Sequence, residues 1–140
     1  MRISVLSNSS AINTCVDAMR NQMLDINPIN PVIGLDCEWD IVKNAQGFIT
    51  GSKKIAIMQI GYIVDAVSKA LIFQVHRINN LPQRLLALFE DTRFSYAGIN
   101  VGGDINKIGD NFNIKVITSK MKKHNLGLQA RKRDVIKMVS

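Results

Sequence analysis

The sequence has few of the features that mark secreted or membrane proteins. Its two cysteines, Cys15 and Cys37, form no C-x-x-C pair, which favours a reducing compartment with both as small buried hydrophobic residues. No apolar run is long enough to span a membrane, and the N-terminal residues are too polar for a secretory signal. We therefore expect an intracellular protein, nuclear or cytoplasmic, that makes no membrane contact. A chain of 140 residues with 46% hydrophobic residues suits one domain, residues 1–140, with its own core.

Acidic residues are scarce near the C-terminus. Residues 1–106 contain nine Lys or Arg and nine Asp or Glu, whereas residues 107–140 contain nine Lys or Arg against only Asp110 and Asp134. This last part therefore carries the whole net charge of +7. A basic segment of this kind, concentrated in residues 113–140, suits the phosphates of a nucleic acid. The alternative is a solvated tail that binds nothing.

Hydrophobic periodicity predicts an alternation of strands and helices. Strands are expected at residues 3–6, 32–40, 54–64, 70–75, 94–99 and 115–118, helices at residues 11–24, 80–90, 101–109 and 126–139, and a loop at residues 41–52. This order predicts an α/β fold, with a mixed sheet flanked by helices.

Two carboxylates interrupt the apolar strand predicted at residues 32–40. Because side chains alternate across a strand, Asp36 and Glu38 share one face, opposite Leu35 and Cys37. Burying an isolated carboxylate is unfavourable unless it is paired or binds a metal ion. The pair therefore indicates either a metal site or a strand end that emerges into solvent.

A third acid, Asp104, lies in the helix predicted from residue 101. Val101, Ile105 and Ile108 follow helical spacing, and Asp104 falls on the same stripe, which faces inward. It could instead complement the helix dipole near the N-terminus. Three carboxylates directed to one point would suit Mg²⁺ or Mn²⁺, and two such ions can activate a water that attacks a phosphodiester.

Taken together, these stretches resemble the 3′–5′ exonuclease domains of the DEDD superfamily, and within it the Werner-syndrome type. The first motif is matched by Gly34-Leu35-Asp36-Cys37-Glu38-Trp39, the following hairpin by residues 55–60 and 71–73, and the second motif by Gly98-Ile99-Asn100-Val101-Gly102-Gly103-Asp104. The resemblance covers residues 3 to about 112 in consistent order.

The resemblance implies a ribonuclease-H-like fold and a two-metal site of Mg²⁺ or Mn²⁺. It assigns Asp36, Glu38 and Asp104 as the catalytic, metal-binding residues, and it places Trp39 beside the site. It also implies that the partner is nucleic acid, DNA or RNA, engaged at a single-stranded 3′ end.

The sequence departs from this family at its third motif, a Tyr or His followed four or five residues later by Asp. The only late acid is Asp134, and Gln129 and Ala130 occupy the positions where the Tyr or His would stand. His124 is a conceivable substitute, although a surface role suits it better. We therefore expect a C-terminally truncated domain that ends before this motif.

Three functions follow from these observations. The first is metal-dependent 3′–5′ exonuclease activity on nucleic acid. The second is a catalytically impaired relative that binds nucleic acid or a protein partner. The third is a structural domain whose acids face solvent.

Overall fold

The computed structural model describes residues 1–125, which form a mixed five-stranded sheet, a separate two-stranded sheet and four α-helices. The strands are β1 (Arg2–Leu6), β2 (Val32–Glu38), β3 (Ile41–Lys43), β4 (Ile49–Ser52), β5 (Ile57–Val64), β6 (Val67–Phe73) and β7 (Ser95–Ala97). The helices are α1 (Ser9–Ile26), α2 (Gln83–Glu90), α3 (Val101–Phe112) and α4 (Lys115–Asn125), with a short 3₁₀ helix at Val75–Arg77. The α/β class predicted from the sequence is confirmed.

The main sheet has the strand order β1-β6-β5-β2-β7. The outer pairs β1–β6 and β2–β7 are parallel, whereas β5 is antiparallel to both of its neighbours. Asp36 in β2 stands opposite Gln59 in β5, which in turn stands opposite Ile72 in β6. The strand with the two acids is therefore an inner strand of the sheet.

One face of this sheet and the helices around it form the core. Ile33, Leu35, Met58, Ile60 and Phe73 are all at most 1% exposed, and they come from positions that alternate along β2, β5 and β6. Helix α1 packs on α2 and β5, α4 packs on α2, α3 and β7, and α3 packs on β2. This last contact brings the second predicted motif to the first.

The loop predicted at residues 41–52 is in fact a β-hairpin. Strands β3 and β4 pair with each other and with no other strand, and all their residues are exposed. The turn between them contains Gly47 at φ 84°, and the side chain of Asn44 accepts hydrogen bonds from two backbone N–H groups in it. With no buried face, the segment lacks the alternation of apolar residues that would have predicted strands.

The strand predicted at residues 115–118 is wrong, because these residues begin helix α4. The β-branched residues of this stretch favoured a strand, but Thr118 and Met121 are buried at helical spacing. Helix α3 also continues past the predicted end at Gly109 to Phe112. A Cβ on Gly109 would clash with the Thr118 side chain, so this glycine lets α3 and α4 approach closely. The helix predicted at residues 126–139 lies outside the described residues.

None of the helices within residues 1–125 is long and apolar enough to cross a membrane.

Candidate functional site

Strand β2 presents its two acids on one face, as the alternation predicted. Asp36 and Glu38 are exposed, whereas Leu35 and Cys37 on the other face are buried. The backbone on both sides is held by the sheet, since β5 pairs antiparallel to residues 34–38 and β7 pairs parallel to residues 32–34. The two carboxylates therefore project from a rigid strand toward solvent.

Helix α3 brings Asp104 to this strand. Asp104 lies in the first turn of α3 and is only 5% exposed, so its predicted inward direction is confirmed. The chain leading into α3 passes close to β2, because a Cβ on Gly98 would lie 2.5 Å from the carbonyl oxygen of Leu35. Glycine is required at this position because the obstacle is backbone and cannot move aside.

The electrostatics show that Asp104 and Asp36 are neighbours. Burial, and then the charge of Asp36, raise the pKa of Asp104 from 3.8 to about 7, and hydrogen bonding from the Cys37 backbone N–H opposes this rise. Asp36 reaches solvent, but partial burial of its side chain, and then the charge of Glu38, raise its pKa. Burial also raises the pKa of the Cys37 thiol, with further contributions from Asp104 and Asp36. Tertiary packing therefore joins the three acids predicted from the sequence into one region of negative charge.

The three carboxylates do not form a ready-made metal cage. Within residues 1–125, no group of three or more His, Cys, Asp or Glu side chains is arranged closely enough to hold a metal ion. The donor set nevertheless suits a hard divalent cation, because Mg²⁺ and Mn²⁺ prefer carboxylate oxygens. A cation would also relieve the mutual repulsion that raises the pKa of Asp104.

Lys107 contacts Trp39, the residue that follows Glu38, and this contact was not anticipated from the sequence. Trp39 follows Glu38 directly and is partly buried. The Lys107 ammonium lies 5.1 Å from the centre of its ring and also donates a hydrogen bond to the Ser52 hydroxyl at the end of β4. Lys107 therefore links α3, the indole ring and the hairpin. Its spacing of three residues from Asp104 on the helix was the one signal that could have indicated it.

Part of the predicted basic segment lies on helix α4. Lys115 and Lys120 are exposed, and the Lys122 ammonium donates a hydrogen bond to Asn106 across the two helices. Asp134 lies outside the described residues, and so does the stretch in which a third motif would stand. The side chain of His124 is not described either.

Comparisons with known proteins support the fold. No protein-family model matches the sequence, and no curated protein matches it. Among solved structures, the chain is similar to the EXD2 exonuclease domain soaked in Mg, with a TM-score of 0.60, 17% identity, and coverage of 81% of this chain and 53% of that one. It is also similar to RNase D of Trypanosoma brucei in a GMP complex, with a TM-score of 0.61, 14% identity, and coverage of 81% and 31%.

A second structure of the same trypanosomal RNase D, in complex with RNA U12, gives a TM-score of 0.59 at 15% identity, with coverage of 81% of this chain and 35% of that one. The chain therefore spans about half of the EXD2 domain and about a third of the RNase D chains. At such low identities the likeness concerns architecture and not activity. The chain shares the α/β, ribonuclease-H-like fold of these structures.

Proposed function

We propose that this chain is a metal-dependent 3′–5′ exonuclease domain that acts on nucleic acid. The observation that carries the proposal is the position of a buried carboxylate, Asp104, beside Asp36, an exposed acid that shares one face of β2 with Glu38. A buried acid beside another acid lowers the stability of the folded protein unless a cation is bound, so selection for stability alone would not favour this arrangement. The same fold occurs in EXD2 and RNase D exonuclease domains.

Asp36, Glu38 and Asp104 would hold Mg²⁺ or Mn²⁺. When bound, such an ion supplies a Lewis acid for the phosphodiester and lowers the pKa of a coordinated water. Asp104 comes from a buried helical position and would fix one side of the site. Asp36 and Glu38 are exposed, so their side chains can rotate toward the ion without displacing packed atoms.

The surroundings of the acids favour a nucleic acid strand as substrate. Lys107 lies near Trp39 on one side, and the lysines of α4 add positive charge that attracts phosphates. The indole ring next to Glu38 offers a surface on which a base could stack. The Werner-type affiliation, the single-stranded 3′ end and the missing third motif all remain predictions.

A Mn²⁺-dependent degradation assay tests the proposal. A 5′-labelled single strand should shorten stepwise from its 3′ end with Mn²⁺ and remain intact with EDTA. Asp36→Asn, which keeps the shape and removes the charge, should lose nearly all activity. Asp65→Asn is the matched control, because Asp65 is an exposed acid in the β5–β6 turn with φ 52°, a conformation that Asn tolerates. Equal background cleavage by wild type and Asp36→Asn would refute the proposal.

A binding assay tests the metal site separately from cleavage. Trp39 is the only tryptophan in the chain, and it adjoins Glu38. Titration with Mg²⁺ should change its fluorescence in a saturable manner, and Glu38→Gln should weaken or abolish this change. An unchanged spectrum in the wild type would argue against a metal ion at the acids.

The second candidate is a domain that binds nucleic acid but cleaves little. It is favoured by the finding that no three metal-binding side chains within residues 1–125 form a preassembled group. It predicts salt-sensitive binding that Asp36→Asn leaves intact, together with no Mn²⁺-dependent shortening of the strand.

A further inference from the structure

A concave surface, separate from the three acids, lies at the base of the β3–β4 hairpin. It is a cavity of about 480 Å³, a volume within the usual range for small-molecule sites. Its lining comes from the residues next to the hairpin, the 3₁₀ helix and the end of α3. Buried Ile55 and Val75 supply apolar contacts. We call it the hairpin-base cavity.

Hydrogen-bond donors predominate among its polar side chains. The Oδ1 atom of Asn111 accepts a hydrogen bond of 2.6 Å from the Ile55 backbone N–H, which fixes the orientation of the amide. Its Nδ2 group has no acceptor among the described residues, and no side-chain polar atom there is both buried and unpaired. This group is therefore accessible from solvent and can donate to a ligand. Asn79 provides a second amide in the lining.

The ring of His76 is also held in one orientation. Its Nδ1 atom lies 3.0 Å from the backbone oxygen of Ala56. A carbonyl oxygen only accepts hydrogen bonds, so Nδ1 carries a proton and donates it. This leaves Nε2 as the ring atom available to a ligand in the cavity.

The charge of the lining favours an anion. Lys53 and Lys54 contribute two ammonium groups, and neither forms a salt bridge with a carboxylate within the described part of the chain. Among the described lining residues, Asp40 is the one carboxylate, so their formal charge sums to +1 with His76 neutral. Unpaired lysines beside the oriented amide of Asn111 suit the oxygens of a phosphate group.

The cavity is coupled directly to the strand that carries the acids. The Ala56 backbone N–H donates a hydrogen bond of 2.9 Å to the carbonyl oxygen of Glu38. The Lys53 backbone N–H donates one of 2.8 Å to the carbonyl oxygen of Asp40. A group bound in the cavity is therefore positioned by the same backbone that positions the carboxylate of Glu38.

We propose that the hairpin-base cavity binds a phosphate group of the nucleic acid strand, at a nucleotide that is not being cleaved, through Lys53, Lys54 and Asn111. The identity of the ligand rests on the proposed nucleic-acid function, whereas the preference for a phosphate rests on the cavity alone. This subsite holds the strand in place while its end lies at Asp36 and Glu38.

Binding of a fluorescein-labelled single-stranded oligonucleotide in EDTA tests the subsite without requiring cleavage. The double variant Lys53→Gln/Lys54→Gln should weaken binding at least about tenfold. It should also reduce the slope of log affinity against log salt by about 0.7, because each neutralised phosphate on a single strand contributes about 0.7 and the cavity holds one phosphate. Arg2→Gln/Lys69→Gln removes the same charge near the other end of β6, where Arg2 in β1 stands opposite Lys69. This control should change the affinity and the salt slope much less. Equal losses in the two double variants would overturn the proposal.

Side-chain amide resonances provide a second, local measurement. Adding inorganic phosphate or the oligonucleotide should shift the NH₂ signals of Asn79 and Asn111 in wild type. A shift with either probe supports a phosphate subsite, and a shift with the oligonucleotide alone assigns it to the strand. Binding of the oligonucleotide with no shift at either amide overturns the proposal. Asp36→Asn should retain these shifts, so a failed exonuclease assay leaves the subsite test intact.

Discussion

Replacing Asp104 by Asn should stabilise the metal-free protein while removing one of the proposed metal-binding residues. The reason is that Asp104 is 5% exposed and lies beside the negative charge of Asp36, which together with burial raises its pKa to about 7. At neutral pH the folded protein must therefore hold an unfavourable charge. Asn has nearly the same shape and can accept the same hydrogen bond from the Cys37 backbone N–H.

The size of the effect follows from the two pKa values. A pKa of about 7 in the folded protein and 3.8 in the unfolded chain corresponds to about 4 kcal/mol of lost stability once the group is ionised. The folded state binds the proton more tightly, so the stability of the metal-free protein should fall as pH rises from about 4 to about 7. Asp104→Asn should remove this fall and raise the free energy of unfolding by about 2–4 kcal/mol at pH 8. For a domain of this size, that gain raises the Tm by roughly 10 °C.

Thermal unfolding in EDTA at a series of pH values measures this gain. Asp110→Asn is the matched control, because Asp110 lies on the same helix but is exposed, with only a 3.5 Å contact to Lys115. The Asp110→Asn substitution should change the free energy of unfolding by no more than about 0.5 kcal/mol. Saturating Mn²⁺ should raise the Tm of wild type but leave that of Asp104→Asn almost unchanged, since only a ligand that binds the folded state stabilises it. A lower Tm for Asp104→Asn at pH 8, or the same pH dependence as wild type, would refute the reasoning.

Two further substitutions test the framework that holds the acids. Gly98→Ala places a Cβ 2.5 Å from the Leu35 carbonyl oxygen, so the free energy of unfolding in urea should fall by about 2 kcal/mol or more. Gly51→Ala is the control, because a Cβ there has nothing within 4 Å, and it should cost less than about 1 kcal/mol. Equal costs for the two substitutions would contradict this. Asp91→Asn should cost about 1–3 kcal/mol at pH 7, because the Asp91 side chain is 6% exposed and contacts two arginines at 2.7 and 2.8 Å. Those contacts lower the pKa of Asp91, so the cost of Asp91→Asn should persist above pH 4 and disappear as the carboxyl is protonated in stronger acid. Asp17 forms only an exposed ion pair with Arg84 at 3.9 Å, so the control Asp17→Asn should cost little stability at any pH.

Local sequence patterns were sufficient for the two elements that carry the acids. The two-residue alternation in β2 predicted that Asp36 and Glu38 share a face opposite Leu35. The helical spacing around Val101 predicted that Asp104 faces inward. Both follow from backbone geometry within a few residues, and for that reason they can be predicted without knowledge of the fold.

Sequence patterns failed where the backbone conformation depends on distant contacts. The stretch at residues 115–118 has strand-forming side chains, yet it is helical because Thr118 packs on Gly109 of α3. The β3–β4 hairpin has no buried face, so its hydrogen bonds form without an alternating pattern. In both segments, long-range packing or pairing overrides local preference.

The sequence by itself identified the candidate site residues Asp36, Glu38 and Asp104 and determined which way each one points from its own strand or helix. Only the tertiary structure decided that Asp104 lies beside Asp36, that Lys107 covers Trp39, and that Lys53 and Asn111 line one cavity. These residues are far apart along the chain, and their distances depend on how α3 packs against β2. That packing depends in turn on the close approach of Gly98 to the backbone of the acid-bearing strand.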